Sequence, residues 1–159
     1  MSSRVSIGGH PLHPMLVTIP IGLWIFSLVS DIVFLSTGDA RWESTAYFTL
    51  GGGIVGALLA AVPGLLDFLG LREPRERRIG AIHLGLNLAI VAIQAINFWL
   101  RSQPDATEAR LPLLISVVAV AALVVSGWLG GQLVHVFGVT QPHHGELDSL
   151  KPDKLHPRT

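Results

Sequence analysis

Five side chains of metal-ligating type, His10, His13, Asp67, His83 and His135, stand at or near the ends of long apolar runs. Imidazoles and carboxylates bind Zn²⁺, Cu²⁺ and Fe²⁺, and two neutral imidazoles from different helices can hold the iron of a b-type haem. If the runs are membrane helices in strict up-and-down order, the starts of the first and third and the ends of the second and fourth share one face. All five groups then come to one rim of a bundle. Ionisable residues at membrane depth are costly, which makes them functional candidates. Taken singly, each histidine has a plainer reading, a hydrogen bond to a backbone carbonyl or a lipid headgroup. The convergence is what points to a site.

Three chemistries fit such a cluster. In the first, His83 and His135 are axial ligands of a single haem b, with His13 the substitute and His10 and Asn87 close by. Gly127 and Gly131 precede His135 at four-residue steps and leave space for a macrocycle, as does the glycine face from Gly52 to Gly64. Arg75, Arg77 and Arg78 stand at the rim, where propionates need cations. Electron transfer with a redox protein partner is the role this implies. In the second, a bare Zn, Cu or Fe ion is held by some of His10, His13, Asp67, His83 and His135. His10 and His13, three residues apart, reach one ion together if the chain turns helical after Pro11. The third is a proton or ion pathway running from His83 through Asn87, Gln94 and Asn97 toward Asp31. A structural membrane subunit without a cofactor is a further alternative. With no nucleophile elbow, Walker loop or dinucleotide fingerprint in the chain, no catalytic residue is assigned and enzymatic activity stays open.

The elements that must position these residues follow from composition. Of 159 residues half are hydrophobic and 14% charged, too apolar for an ordinary soluble domain of this size. Acidic and basic residues balance, so nucleic acid is not an expected partner. Absence of cysteine excludes disulfides, thiolate-bound zinc, cysteine-ligated iron–sulfur clusters and covalent c-type haem. The first apolar run is too long for a signal-peptide core and is expected to remain as an anchor. The pattern predicts an all-α, four-helix up-and-down bundle in the bilayer, with spans at about 15–35, 45–69, 79–100 and 111–137. Residues 1–140 form this domain, and 141–159, with His143, His144 and His156, read as a polar tail.

Within the spans, Pro20 and Pro63 should bend their helices, and a polar turn is expected from Ser36 to Glu43. Gly52, Gly56, Ala60 and Gly64 recur every fourth position, a pattern that reads first as close helix packing and also permits self-association. His83, Asn87, Gln94 and Asn97 fall on one face of the third span, a polar stripe that should face the bundle interior. Asp31 is expected to pair with Asn97 or Arg101 at the opposite end. Trp42 and Trp99 read as interfacial anchors, Trp24 and Trp128 as deeper packing residues. Eight of the eleven lysines and arginines lie on the histidine side, against Arg41, Arg101 and Arg110 on the other. The positive-inside rule then places both termini in the cytoplasm.

Gly9-His10-Pro11-Leu12-His13-Pro14, followed by Ile19-Pro20-Ile21-Gly22-Leu23-Trp24 and Asp31, resembles the bacterial membrane family called domain of unknown function 2231. Pro63-Gly64-Leu65-Leu66-Asp67, His83-Leu84-Gly85-Leu86-Asn87 and Gly130-Gly131-Gln132-Leu133-Val134-His135 are similar to its later landmarks. The likeness covers nearly the whole chain except the tail. It implies a small four-helix protein of the bacterial inner membrane. Some relatives are joined to Rieske or cytochrome domains, which implies electron transfer and strengthens the haem reading. No catalytic residue is carried over.

Overall fold

The computed structural model describes residues 5–8, 10–103 and 110–135, with His135 described by its backbone alone. A two-residue hairpin, β1 (Ser6–Ile7) paired antiparallel with β2 (His10–Pro11), leads into the helices. Then come α1 (Leu12–Leu16), α2 (Thr18–Thr37), α3 (Ala40–Phe68), α4 (Pro74–Arg101) and α5 (Arg110–His135). Four helical segments are long and apolar enough to cross a membrane, α1 and α2 together making the first. At 25 to 29 residues each, they run roughly 40 Å at 1.5 Å per residue, more than a hydrocarbon core requires.

Local chemistry sets the breaks. Pro20 has no N–H to give to Leu16 and its ring crowds that carbonyl, so the bend expected at Pro20 appears one turn earlier, as an interruption at Val17. The Thr18 hydroxyl bonds Met15 O across the gap at 2.7 Å. At the far end of α2, Gly38 takes a left-handed conformation with φ 70° and its N–H returns to Phe34 O at 2.8 Å. Asp39 immediately caps α3 by accepting from Arg41 N–H at 3.0 Å. The turn expected over Ser36 to Glu43 therefore contracts to Gly38 and Asp39. Pro74 occupies the first turn of α4, where its missing N–H costs nothing, so this helix begins five residues before Ile79.

Helix α2 packs chiefly on α3, and α4 on α5, giving two hairpins. Contacts of α3 with α4 and of α2 with α5 close them into a four-cornered bundle with α2 and α4 on a diagonal. Close approach inside the first hairpin depends on small residues. The Trp24 indole lies where a Cβ at Gly53 would stand and donates to Leu50 O at 3.2 Å. A Cβ at Gly56 would come within 2.9 Å of Ile19. The small-residue face of α3 thus serves close packing, with Ile19, Pro20, Leu23 and Trp24 seated along it.

Trp24, Leu50, Ile90, Ala119 and Leu123 form an apolar block at mid-height. Phe48, Val124 and Trp128 project outward, Trp128 with 67% of its surface exposed, as befits a face turned to lipid. Trp128 therefore does not pack inward as its depth in the sequence suggested. Trp99 is exposed too, near the C-terminal end of α4.

Candidate functional site

Two polar clusters lie above and below the apolar block. At the histidine end, α1 carries His13 and α4 carries His83, and the rings stand edge to face with centroids 6.3 Å apart. Each ring is tied to a neighbouring helix through Nδ1. His13 Nδ1 lies 2.9 Å from Ala60 O on α3, and His83 Nδ1 lies 3.0 Å from Ser126 O on α5. A carbonyl oxygen can only accept, so Nδ1 carries the proton in both rings and the lone pair of a neutral ring falls on Nε2.

Glycines make these approaches possible. A Cβ at Gly64 would meet the His13 ring at 2.7 Å, and one at Gly130 would meet His83 Cε1 at 3.1 Å. Gly130 is thus the α5 glycine against the histidine, whereas Gly127 and Gly131 have open space where a Cβ would point. Asn87 completes the cluster: its Nδ2 donates to His83 O at 2.8 Å and to Ser126 Oγ at 2.7 Å, and lies 3.2 Å from His83 Nε2.

The other expected ligands are placed differently. His10 is exposed in the terminal hairpin with Nδ1 3.1 Å from Gly8 O. Asp67 is half-buried in the last turn of α3, and the His135 side chain lies outside the described residues. Among the described residues no group of three or more His, Asp or Glu could hold a metal ion. What the fold brings together is the pair His13 and His83. The pairing was hidden in the sequence because the direction of His13 depends on the interruption at Val17.

At the opposite end Arg101 makes a bidentate bond to Asp31, Nη1 to Oδ1 at 2.6 Å and Nη2 to Oδ2 at 2.7 Å. Both side chains are nearly buried, and Arg101 also donates to Asn97 Oδ1 and Ser116 Oγ at 3.2 Å each. Asn97 Nδ2 donates to Ser116 Oγ at 2.9 Å and to Gln94 Oε1 at 3.3 Å. The polar stripe of α4 does face the interior, and Arg101 belongs to it rather than to an exposed loop. Sequence reading missed Ser116 and Ser126, the α5 partners of this stripe, because a serine in an apolar helix gives no signal of its own. Ile90 fills the position between Asn87 and Gln94, so the apolar block divides the stripe in two.

Four apolar spans, a lipid-facing exterior and a buried ion pair on diagonal helices define a multi-pass membrane protein of four-helix architecture. The chain belongs to the family of predicted membrane proteins DUF2231, whose model matches residues 9–142. No curated protein and no solved structure matches it.

Proposed function

We propose that this chain binds one b-type haem between its two hairpins, which His13 and His83 would hold, and passes electrons to or from a redox protein at the bacterial inner membrane. The observation that carries this reading is the pair itself. Two imidazoles from separate hairpins are each pinned through Nδ1 to a backbone carbonyl, the outer bond that orients metal-ligating histidines. Two imidazoles bonded in line to one ion at about 2 Å per bond have centres roughly 6 Å apart. The observed centroid separation of 6.3 Å matches that spacing, and ligation would turn the edge-to-face rings so that both Nε2 lone pairs meet the ion.

Donor count favours haem over a bare ion. The macrocycle supplies four nitrogens and needs only two from the protein, whereas zinc asks for three or four protein ligands. A bare Zn, Cu or Fe ion held by His13 and His83 with help from His10, Asp67 or His135 is the second reading. Haem would supply one-electron chemistry, and the chain's part is to hold and orient. Ligation at His83 Nε2 would replace its contact with Asn87, whose bonds to His83 O and Ser126 Oγ would remain. Arg77 and Arg78, exposed at the start of α4, offer cations to propionates. The arginine asymmetry supports a cytoplasmic position for this end and for both termini. Open space beside Gly127 and Gly131 supports self-association along α5.

The division of the stripe by Ile90 counts against a proton or ion pathway, since no chain of hydrogen bonds crosses the block among the described residues. The test is the absorption spectrum of detergent-purified protein from haem-replete cells, air-oxidised and then dithionite-reduced. A Soret band with sharp reduced α and β bands is expected. Folded protein with a flat spectrum would end the haem reading. Elemental analysis of the same sample then separates a bare metal ion from a purely structural role for the histidines.

A further inference from the structure

The two hairpins follow one plan. Arg101 comes 18 residues after His83, as Asp31 comes 18 residues after His13. His13 docks on Ala60 O beside Gly64, and His83 docks on Ser126 O beside Gly130. In each hairpin the glycine that admits the ring therefore stands four residues after the carbonyl that binds it.

Interior positions repeat with the same offsets. Pro20, Trp24 and Ser27 of α2 correspond, 70 residues on, to Ile90, Gln94 and Asn97 of α4, and all are buried. Leu50, Gly53 and Ala60 of α3 correspond, 66 residues on, to Ser116, Ala119 and Ser126 of α5, again all buried. Both hairpins start at the histidine end, so the operation relating them is a half-turn about an axis parallel to the helices. It exchanges α2 with α4 and α3 with α5. The contacts α3 with α4 and α5 with α2 then become equivalent, and both are present. Residues that meet on such an axis are counterparts, as His13 and His83 are at one end and Asp31 and Arg101 at the other.

We propose that the chain is an internal dimer of two equivalent hairpins, α1–α3 and α4–α5, and that Asp31 and Arg101 are the key that makes each hairpin's partner the other kind. A residue on a two-fold axis faces its own counterpart. Two copies of the first hairpin paired in this way would bring two Asp31 carboxylates together, and two of the second would bring two Arg101 guanidiniums together. Buried like charges forbid both pairings; only the mixed one is neutral. The histidine position carries no such code, being identical in the two hairpins. Asn97 and Ser116, which assist Arg101, can serve either charge, because an amide and a hydroxyl both donate and accept.

The test is a charge exchange in the full chain: Asp31→Arg, Arg101→Asp and the double exchange, purified in detergent and followed by thermal unfolding and size-exclusion chromatography. Each single reversal is expected to lower the midpoint by roughly 10 °C or more, or to abolish the monodisperse peak. The double exchange should restore that peak and recover at least half of the lost midpoint. A double exchange no better than the worse single variant would show that the two positions are not equivalent and overturn the proposal. Single reversals as stable as the parent would overturn it equally, since the pair would then select nothing.

Discussion

Asp31 on α2 and Arg101 on α4 lie 70 residues apart in the chain and meet through two parallel hydrogen bonds of 2.6 and 2.7 Å across the bundle diagonal. Both side chains are nearly buried, so neither charge is well hydrated and each depends on the other. Asp31→Asn leaves Arg101 with a neutral partner and should destabilise the bundle by about 3 kcal/mol, the lower end of the cost of breaking a buried pair. Unfolding of detergent-purified protein measures it. An unchanged stability would mean that the pair is not desolvated as the structure shows.

Gly64 and Gly85 make a contrasting pair. A methyl at Gly64 would stand 2.7 Å from His13 Cε1 and Nδ1, whereas Gly85 has nothing within 4 Å of its Cβ direction. Gly64→Ala should therefore cost about 1–3 kcal/mol by overpacking and displace His13 from Ala60 O. Gly85→Ala should be neutral or add up to about 1 kcal/mol through helix propensity. Parallel thermal melts of the two variants give the comparison, and equal effects would contradict the placement of His13.

The Asp39 carboxyl is held below the usual carboxylate range, first by the Arg41 side chain and then by the Arg41 backbone N–H. A lowered folded-state pKa contributes stability that is present above the unfolded value and is lost as pH falls through the folded one. Asp39→Ala should accordingly be less stable than the parent at neutral pH, and the gap should close in strong acid. Arg41 is exposed and Asp39 partly so, so the gap is small and weakens with salt. A difference that persisted undiminished in acid would assign the effect to something other than the ionised cap.

If the apolar block around Ile90 seals the bundle, vesicles containing the protein should leak protons no faster than empty ones. A pH-sensitive dye inside the vesicles reports the rate. Protein-dependent flux abolished by His83→Ala would revive the conduction reading.

Gly127 and Gly131 face open space on α5, so leucine at both positions should leave the monomer folded while removing self-association. Crosslinking in native membranes should yield a dimer from the parent and none from the double variant. A parent that crosslinks only as a monomer would contradict the oligomeric part of the proposal.

The spans were legible because long apolar runs leave few alternatives, and the interior stripe of α4 because polar groups cannot face lipid. The pairing of Asp31 with Arg101 was legible too, from the placement of both at the same end. Helix starts were less so: α4 opens at Pro74 among charged residues that hydropathy assigns to a loop, and first-turn chemistry rather than apolarity draws it outward. Selection of His13 as the neighbour of His83 was not legible. It depends on how α1 turns after Pro11 and on a carbonyl of α3 that a glycine uncovers. One signal did lie in the sequence, the 18-residue spacing from histidine to charged residue that occurs once in each hairpin.

The central claim is that His13 and His83 together form the ligand pair. It is tested most directly by reduced-minus-oxidised spectra of the haem-loaded parent beside His13→Ala, His83→Ala and His135→Ala, each normalised to folded protein. The account predicts that the first two lose the sharp six-coordinate α band to similar extents and that His135→Ala retains it. Loss confined to His83→Ala and His135→Ala, with His13→Ala like the parent, would contradict the pair, and a parent without haem would contradict the function.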